Sequence, residues 1–191
     1  MARLAVFASG NGSNFQAIAE AVRRTSHSVR CLICDRAGAF ALERARALGI
    51  PAHVVSYSGR SREESEGEIL DVIEPYAIDL IALAGFMRLL TPRLIDRYPE
   101  RIINIHPALL PKYPGTRAIA ESYDSRDTEL GITIHRVDYG MDTGPTIVQE
   151  SFRRVGNETM EEIERHIHNL EHATYPRIVI QLLDSIDHRS R

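Results

Sequence analysis

The sequence predicts an α/β fold: a Rossmann-like, mostly parallel sheet flanked by helices, with a late antiparallel strand pairing. Three observations carry this expectation. Between residues 4 and 105, short continuous apolar runs alternate with segments of helical period, the pattern of strands buried on both faces and their crossover helices. A glycine-rich turn, Ser9-Gly10-Asn11-Gly12-Ser13-Asn14, joins the first strand to the first helix. After Gly115 the pattern becomes two runs of alternating residues joined by a loop of Asp, Gly and Pro, which suggests an antiparallel pair.

Taken in order, residues 4–8 form the first strand, and Phe15, Ile18, Ala19 and Val22 share one face of the helix that follows. Residues 29–34 are the second strand; Ala41, Leu42, Ala45 and Leu48 mark a helix that Gly49 stops at its C′ position. His53-Val54-Val55 is a short third strand. Ser61-Arg62-Glu63-Glu64 has capping-box spacing and opens a helix carrying Ile69, Val72 and Ile73, before residues 80–84 return to a buried strand. Thr91-Pro92 starts a short helix with proline at its first position. Residues 102–105 then deliver Asn104-Ile105-His106-Pro107 to a strand end, and residues 111–125 read as a loop. Residues 131–137 and 146–150 are the late strands. Thr159-x-x-Glu162 is a second capping box, opening a terminal helix with Met160, Ile163, Ile167 and Leu170 on one side, which Pro176 is expected to kink or break.

The 191 residues fit one domain, 1–191, with no repeat or linker. A formal net charge of -3 gives no reason to expect nucleic acid, and no run approaches the ~20 apolar residues of a membrane span. A cytoplasmic protein is expected, as monomer or homodimer. Cys31 and Cys34 lie three apart on one strand and so face opposite ways, which reads as two buried or semi-buried thiols rather than a disulfide or metal pair.

The glycine turn offers backbone N–H groups and a helix dipole to an anion such as phosphate. As a dinucleotide fingerprint it is incomplete: Phe15 occupies the third glycine position, no P-loop lysine follows, and only Asp35 stands where a ribose-binding acid would. A turn that simply needs small residues is the other reading. His168-Asn169-Leu170-Glu171-His172 has the H-x-x-E-H spacing of a zinc site, but a third ligand on another element is wanting, so no metal is expected. This turn reads as a surface face or a polar rim reaching a substrate. His135, alternating with Ile134, reads as a satisfied structural histidine, and His27, His53 and His188 as loop or edge residues.

Asn104 and His106 sit at a strand end, where α/β proteins keep their chemistry, and the tight loop Asp142-Thr143-Gly144-Pro145 offers a carboxylate to the same histidine. An N-x-H-P run has little specificity by itself. Taken with the glycine turn, Ala84-Gly85-Phe86-Met87-Arg88-Leu89-Leu90, Leu109-Leu110-Pro111 and Asp142-x-Gly144-Pro145, its order and spacing resemble the folate-dependent formyltransferases. The resemblance runs from the first strand to Glu171-His172-Ala173-x-Tyr175-Pro176.

That resemblance implies transfer of formyl from 10-formyltetrahydrofolate, as co-substrate, to the amine of glycinamide ribonucleotide in de novo purine biosynthesis. Asn104, His106 and Asp142 would be catalytic. Attack by the amine builds an oxyanion, for which the Asn104 amide and a protonated His106 supply donors; Asp142 would raise the histidine pKa and take up the amine proton through water. The same resemblance implies a folate site of Arg62, Met87, Arg88, Leu89, Leu90, Asn104, Asp138, Tyr139, Gly140, Met141 and Asp142. It implies binding of the acceptor phosphate by Gly12, Ser13 and Asn14, and of its ribose hydroxyls by Glu171. The chain departs from the pattern after Pro114-Gly115, reading Thr116-Arg117-Ala118-Ile119-Ala120 where G-x-H-x-H is usual, and His168 stands where a lysine can occur. Alternative expectations are a formyltetrahydrofolate deformylase, a formyltransferase for another amine such as an amino sugar, and a nucleotide-binding module with a structural His106.

Overall fold

The computed structural model describes residues 1–189. Its strands are β1 (Arg3–Ala8), β2 (Ser28–Cys34), β3 (Ala52–Val54), β4 (Leu80–Leu83), β5 (Ile102–His106), β6 (Glu129–Arg136) and β7 (Thr146–Arg153). Its α-helices are α1 (Ser13–Val22), α2 (Phe40–Leu48), α3 (Arg62–Ile73), α4 (Pro92–Ile95), α5 (Ala118–Asp124) and α6 (Met160–Arg189). The strands form one sheet in the order β3-β2-β1-β4-β5-β6-β7. Pairings are parallel from β3 through β5, while β5–β6 and β6–β7 are antiparallel. This is the mostly parallel sheet with a late antiparallel pairing that the alternation implied.

Alternation along β1 divides the molecule into two cores. Leu4, Val6 and Ala8 pack with Phe15 and Ile18 of α1, Ala41 of α2 and Tyr175 and Val179 of α6. Ala5 and Phe7 point the other way, to Ile69 and Ile73 of α3 and Leu94 and Ile95 of α4. Chain order reverses between β1 and β4, so the loops leaving these two strands diverge and open a crevice at their carboxyl ends. Two hydrogen bonds tie the loops together at its floor: Ser9 N–H donates to the Gly85 carbonyl at 3.0 Å, and Met87 N–H to the Ser9 hydroxyl at 2.8 Å.

The capping boxes form as the sequence suggests. Ser61 and Glu64 satisfy each other's N–H groups at the start of α3, and Thr159 and Glu162 do so before α6. Cys31 and Cys34 are free, buried thiols, and burial pushes the Cys31 thiol up to about 12.

Three expectations change. The segment expected to be a loop from 111 to 125 contains α5, whose buried Ala118 and Ser122 form one narrow face with Ile119 and Tyr123 packed on the first core. So short a helix is held by packing rather than propensity, and leaves little periodicity to read. Strand β7 runs to Arg153, past the expected end at 150, because its pairing with β6 continues to Arg153 opposite Glu129. Helix α6 is unbroken through Pro176. A proline in a helix interior costs about 3 kcal/mol, but buried side chains continue on both sides of it, from Ile163 and Ile167 to Ile178, Val179 and Leu183. The preceding Tyr175 is pinned by its hydroxyl to the Leu83 and Ile103 carbonyls at 2.9 and 3.3 Å.

Candidate active site

Strand β5 places Asn104 and His106 two residues apart, so both point to the face opposite Ile103 and Ile105, which belong to the α1–α6 core. The antiparallel register sets His135 opposite Asn104 and Thr133 opposite His106, adding β6 side chains to that face. Asp142 arrives from the loop between β6 and β7 with a φ of 57°, in the left-handed region uncommon for a residue with a side chain. The turn that carries it needs glycine nearby, since a Cβ at Gly144 would lie 1.9 Å from the Arg136 carbonyl oxygen.

One carboxylate then meets four groups. Gly115 N–H donates to Asp142 Oδ2 at 2.8 Å and the Asn104 amide to Oδ1 at 3.5 Å. His106 Nδ1 lies 3.4 Å from Oδ2, and His135 Nε2 3.6 Å from Oδ1. Burial alone would raise the Asp142 pKa, but the His135 ring, the Gly115 N–H and the His106 imidazole outweigh it and hold the carboxyl below its usual range. Asn104 Nδ2 also lies 3.3 Å from His135 Nε2. On His106, Nε2 is 2.7 Å from the Tyr113 carbonyl, so Nε2 carries a hydrogen and donates it, leaving Nδ1 turned toward Asp142.

These residues form one end of a cavity of about 360 Å³. Its walls include Phe86, Met87, Leu89, Leu90, Val137 and Met141, with Gly115 and Thr116 near the polar end. Met87, Leu89 and Met141 are half exposed, so the cleft has an apolar lip.

The structure gathers Met87, Arg88, Leu89, Leu90, Asn104, Gly140, Met141 and Asp142 of the expected folate residues into this lining. Arg88 lines it while its guanidinium turns away, pairing with buried Asp35 at 2.6 Å and lying over the Tyr57 ring. Asp35, weighed as a ribose acid, is thus committed to an ion pair. Arg62 stays at the rim, 3.4 Å from the Leu89 carbonyl. Tyr139 reaches Asp96 with its hydroxyl at 2.6 Å, and Asp138 braces its own loop through Gly140 and Thr143.

Gly12, Ser13, Asn14 and Glu171 lie outside the cavity walls and form a second cluster. Gly12 caps α1 with a φ of 75°, and a Cβ there would sit 2.6 Å from that of Ala41. Ser13 opens the helix, and Asn14 donates to Glu171 at 2.9 Å. Glu171 is only 4% exposed and also pairs with His168 at 2.9 Å, which raises the His168 imidazole above the ordinary histidine value against the opposing effect of burial. This helix turn therefore meets α1 through Glu171 and Asn14. Among the described residues no cluster of His, Cys, Asp and Glu is placed to hold a metal ion, and no helix is long and apolar enough to cross a membrane.

His135 is buried with both ring nitrogens partnered, as a satisfied histidine should be, but its place beside Asn104 and the contact of the Tyr113 carbonyl with His106 were not foreseen from the sequence. The position of His135 was findable, because an antiparallel register pairing the first of the two late strands with β5 puts it beside Asn104. Tyr113 acts through its backbone carbonyl, for which no side-chain signal exists.

The end of β5 thus presents an amide and an imidazole to a carboxylate from the loop between β6 and β7. Residues 2–179 fit the family model described as formyl transferase, and the chain belongs to that family. It is 42% identical over 186 residues to phosphoribosylglycinamide formyltransferase of Bacillus subtilis, covering 96% of this chain and 95% of that protein. The Escherichia coli protein of the same name is 39% identical over 184 residues, 95% of this chain and 87% of its own length. Among solved structures, glycinamide ribonucleotide transformylase 1 from Geobacillus kaustophilus superimposes with a TM-score of 0.92 at 47% identity, covering 96% of this chain and 99% of that one.

Proposed function

We propose that this protein transfers the formyl group of 10-formyltetrahydrofolate to the amine of glycinamide ribonucleotide, a step of purine biosynthesis. The observation that carries this reading is the convergence of Asn104, His106 and Asp142 at the polar end of an otherwise apolar cleft. The cleft suits a flat, amphipathic ring: its volume of about 360 Å³ lies in the range of small-molecule sites, and its polar groups are gathered at one end. Met87, Leu89, Leu90 and Met141 would hold the pterin, and the loop of Asp138, Tyr139, Gly140, Met141 and Asp142 would close over it. Arg62 at the rim would meet the anionic tail. Gly12, Ser13 and Asn14 at the start of α1 would take the acceptor phosphate, and Glu171 its ribose hydroxyls.

The folate, when bound, supplies an electrophilic one-carbon unit; the protein's part is to place donors and a proton acceptor around it. As the amine attacks, negative charge grows on the formyl oxygen, and the Asn104 amide and, with the ring protonated at both nitrogens, the Nδ1–H of His106 are the donors that would stabilise it. The Asp142 carboxylate, kept ionised by its hydrogen bonds, faces His106 and can receive the proton the amine must lose, directly or through water, and return it to the folate nitrogen as the bond between that nitrogen and the formyl carbon breaks and tetrahydrofolate leaves. Neither a covalent enzyme intermediate nor a metal is needed for this scheme.

The test is a panel of amine acceptors with 10-formyltetrahydrofolate, following the folate product spectroscopically. Product that depends on glycinamide ribonucleotide is expected. Formate release independent of any acceptor would overturn the proposal in favour of a hydrolase, and turnover with an amino sugar alone would reassign the acceptor.

A further inference from the structure

Residues 111–117 lie across the catalytic trio as a strap. Tyr113 adopts a φ of 55° and turns its carbonyl inward onto His106 Nε2 at 2.7 Å, while Gly115 N–H reaches Asp142 Oδ2 at 2.8 Å. The strap thus touches two of the three catalytic side chains with its backbone. Its root is pinned from β6 and β7: the Thr133 hydroxyl donates to the Ala108 carbonyl at 2.7 Å and accepts from Leu110 N–H at 3.0 Å, and Gln149 donates to the Leu110 carbonyl at 2.7 Å. Its outer side is held differently. Asp127, on the turn between α5 and β6, accepts from both Lys112 Nζ and the Tyr113 hydroxyl at 2.8 Å through a single oxygen, Oδ2.

We propose that Asp127, which does not line the cleft, is a positioning residue for formyl transfer: by holding Tyr113 it keeps the Tyr113 carbonyl on His106 and so selects the ring nitrogen that faces the chemistry. The chain of causes is short. A carbonyl can only accept, so its contact fixes the hydrogen on Nε2 and leaves Nδ1 as the nitrogen facing Asp142. That contact depends on a left-handed backbone at Tyr113, which a residue with a side chain keeps only when its surroundings enforce it. The surroundings are the Thr133 and Gln149 bonds on one side and Asp127 on the other. The ammonium of Lys112 and the hydroxyl of Tyr113 hold the Asp127 carboxyl below its usual range, so at neutral pH it remains an acceptor for both.

The inference rests on the formyl-transfer reading, and full-length Tyr113→Phe, Asp127→Ala, Asp127→Asn and the Tyr113→Phe/Asp127→Ala double variant test it. Steady-state kinetics from about pH 6 to 9 with glycinamide ribonucleotide and 10-formyltetrahydrofolate would be paired with nitrogen–proton NMR of the His106 ring. Tyr113→Phe and Asp127→Ala are each expected to lower kcat about ten-fold or more with a displaced pH profile and a folate KM within about two-fold of wild type. The double variant should be no worse than Asp127→Ala, since both act through one bond. Asp127→Asn, whose amide oxygen still accepts from Tyr113, should recover most of the rate. At the alkaline end of the pH range, where the ring is neutral, the His106 signals of the alanine variant should shift from pure Nε2–H to a mixture of tautomers. A pure Nε2–H signal in Asp127→Ala, with kcat within about two-fold of wild type, overturns the inference. If wild type fails to formylate this acceptor, the proposed function falls, and the ring spectra still decide the strap's role.

Discussion

Asp142 is where sequence-distant residues meet on one titrating group. Its carboxylate is favoured in the folded protein by His135, Gly115 and His106 despite burial, so its folded pKa lies below the unfolded value. The linkage sign follows: ionised Asp142 contributes stability above the ordinary carboxylate pKa of about 3.9, and loses it as pH falls through the lowered folded value. Denaturant melts of wild type and Asp142→Asn should therefore differ by a constant amount from neutral pH down to about pH 5, and the gap should narrow progressively as pH falls below the ordinary carboxylate pKa of about 3.9. A gap that persists in acid would show that the carboxylate's charge is not what stabilises the site. At this scale Asn104 and His106 were legible because one strand's alternation puts them on the same side. Asp142 was legible only through motif order, since nothing local says that a loop 36 residues past His106 folds back.

Among the elements, α6 shows how packing overrides a local rule. Pro176 removes one backbone donor, yet Tyr175 beside it crosses the core to the carbonyls of Leu83 and Ile103, on the strands that lead into the cleft. Tyr175→Phe keeps the ring and leaves those carbonyls without this donor; it should cost about 1–3 kcal/mol of stability by chemical denaturation. A loss under a few tenths of a kcal/mol would mean that the carbonyls are satisfied by their sheet partners alone. Helix α5 makes the complementary point. Its buried face is two small residues, Ala118 and Ser122, too slight a pattern to separate from loop until the core offers somewhere to bury it. The capping boxes before α3 and α6 were legible because both partners lie within four residues.

For the whole molecule, the reversal of chain order between β1 and β4 creates the crevice, and the antiparallel β6–β7 pair extends its floor and supplies the loop that closes it. A ligand seated in the cleft bridges the loops after β4, β5 and β6 and has no site in the unfolded chain. An unreactive folate analogue at a hundred times its Kd should therefore raise the unfolding free energy by about 2.7 kcal/mol, seen as a shifted denaturation midpoint. No shift at saturating analogue would remove the cleft as the folate site. By itself the sequence determined the order and type of most elements, the two-sided core and the strand-end pair Asn104 and His106, because these depend on periodicities and caps within a few residues. Only the tertiary structure decided that His135 joins them, that Tyr113 and Gly115 bind His106 and Asp142 through backbone atoms, and that Asn14 meets Glu171. Those contacts join residues brought together by strand register and chain reversal, and register is set by how the whole sheet buries its two faces.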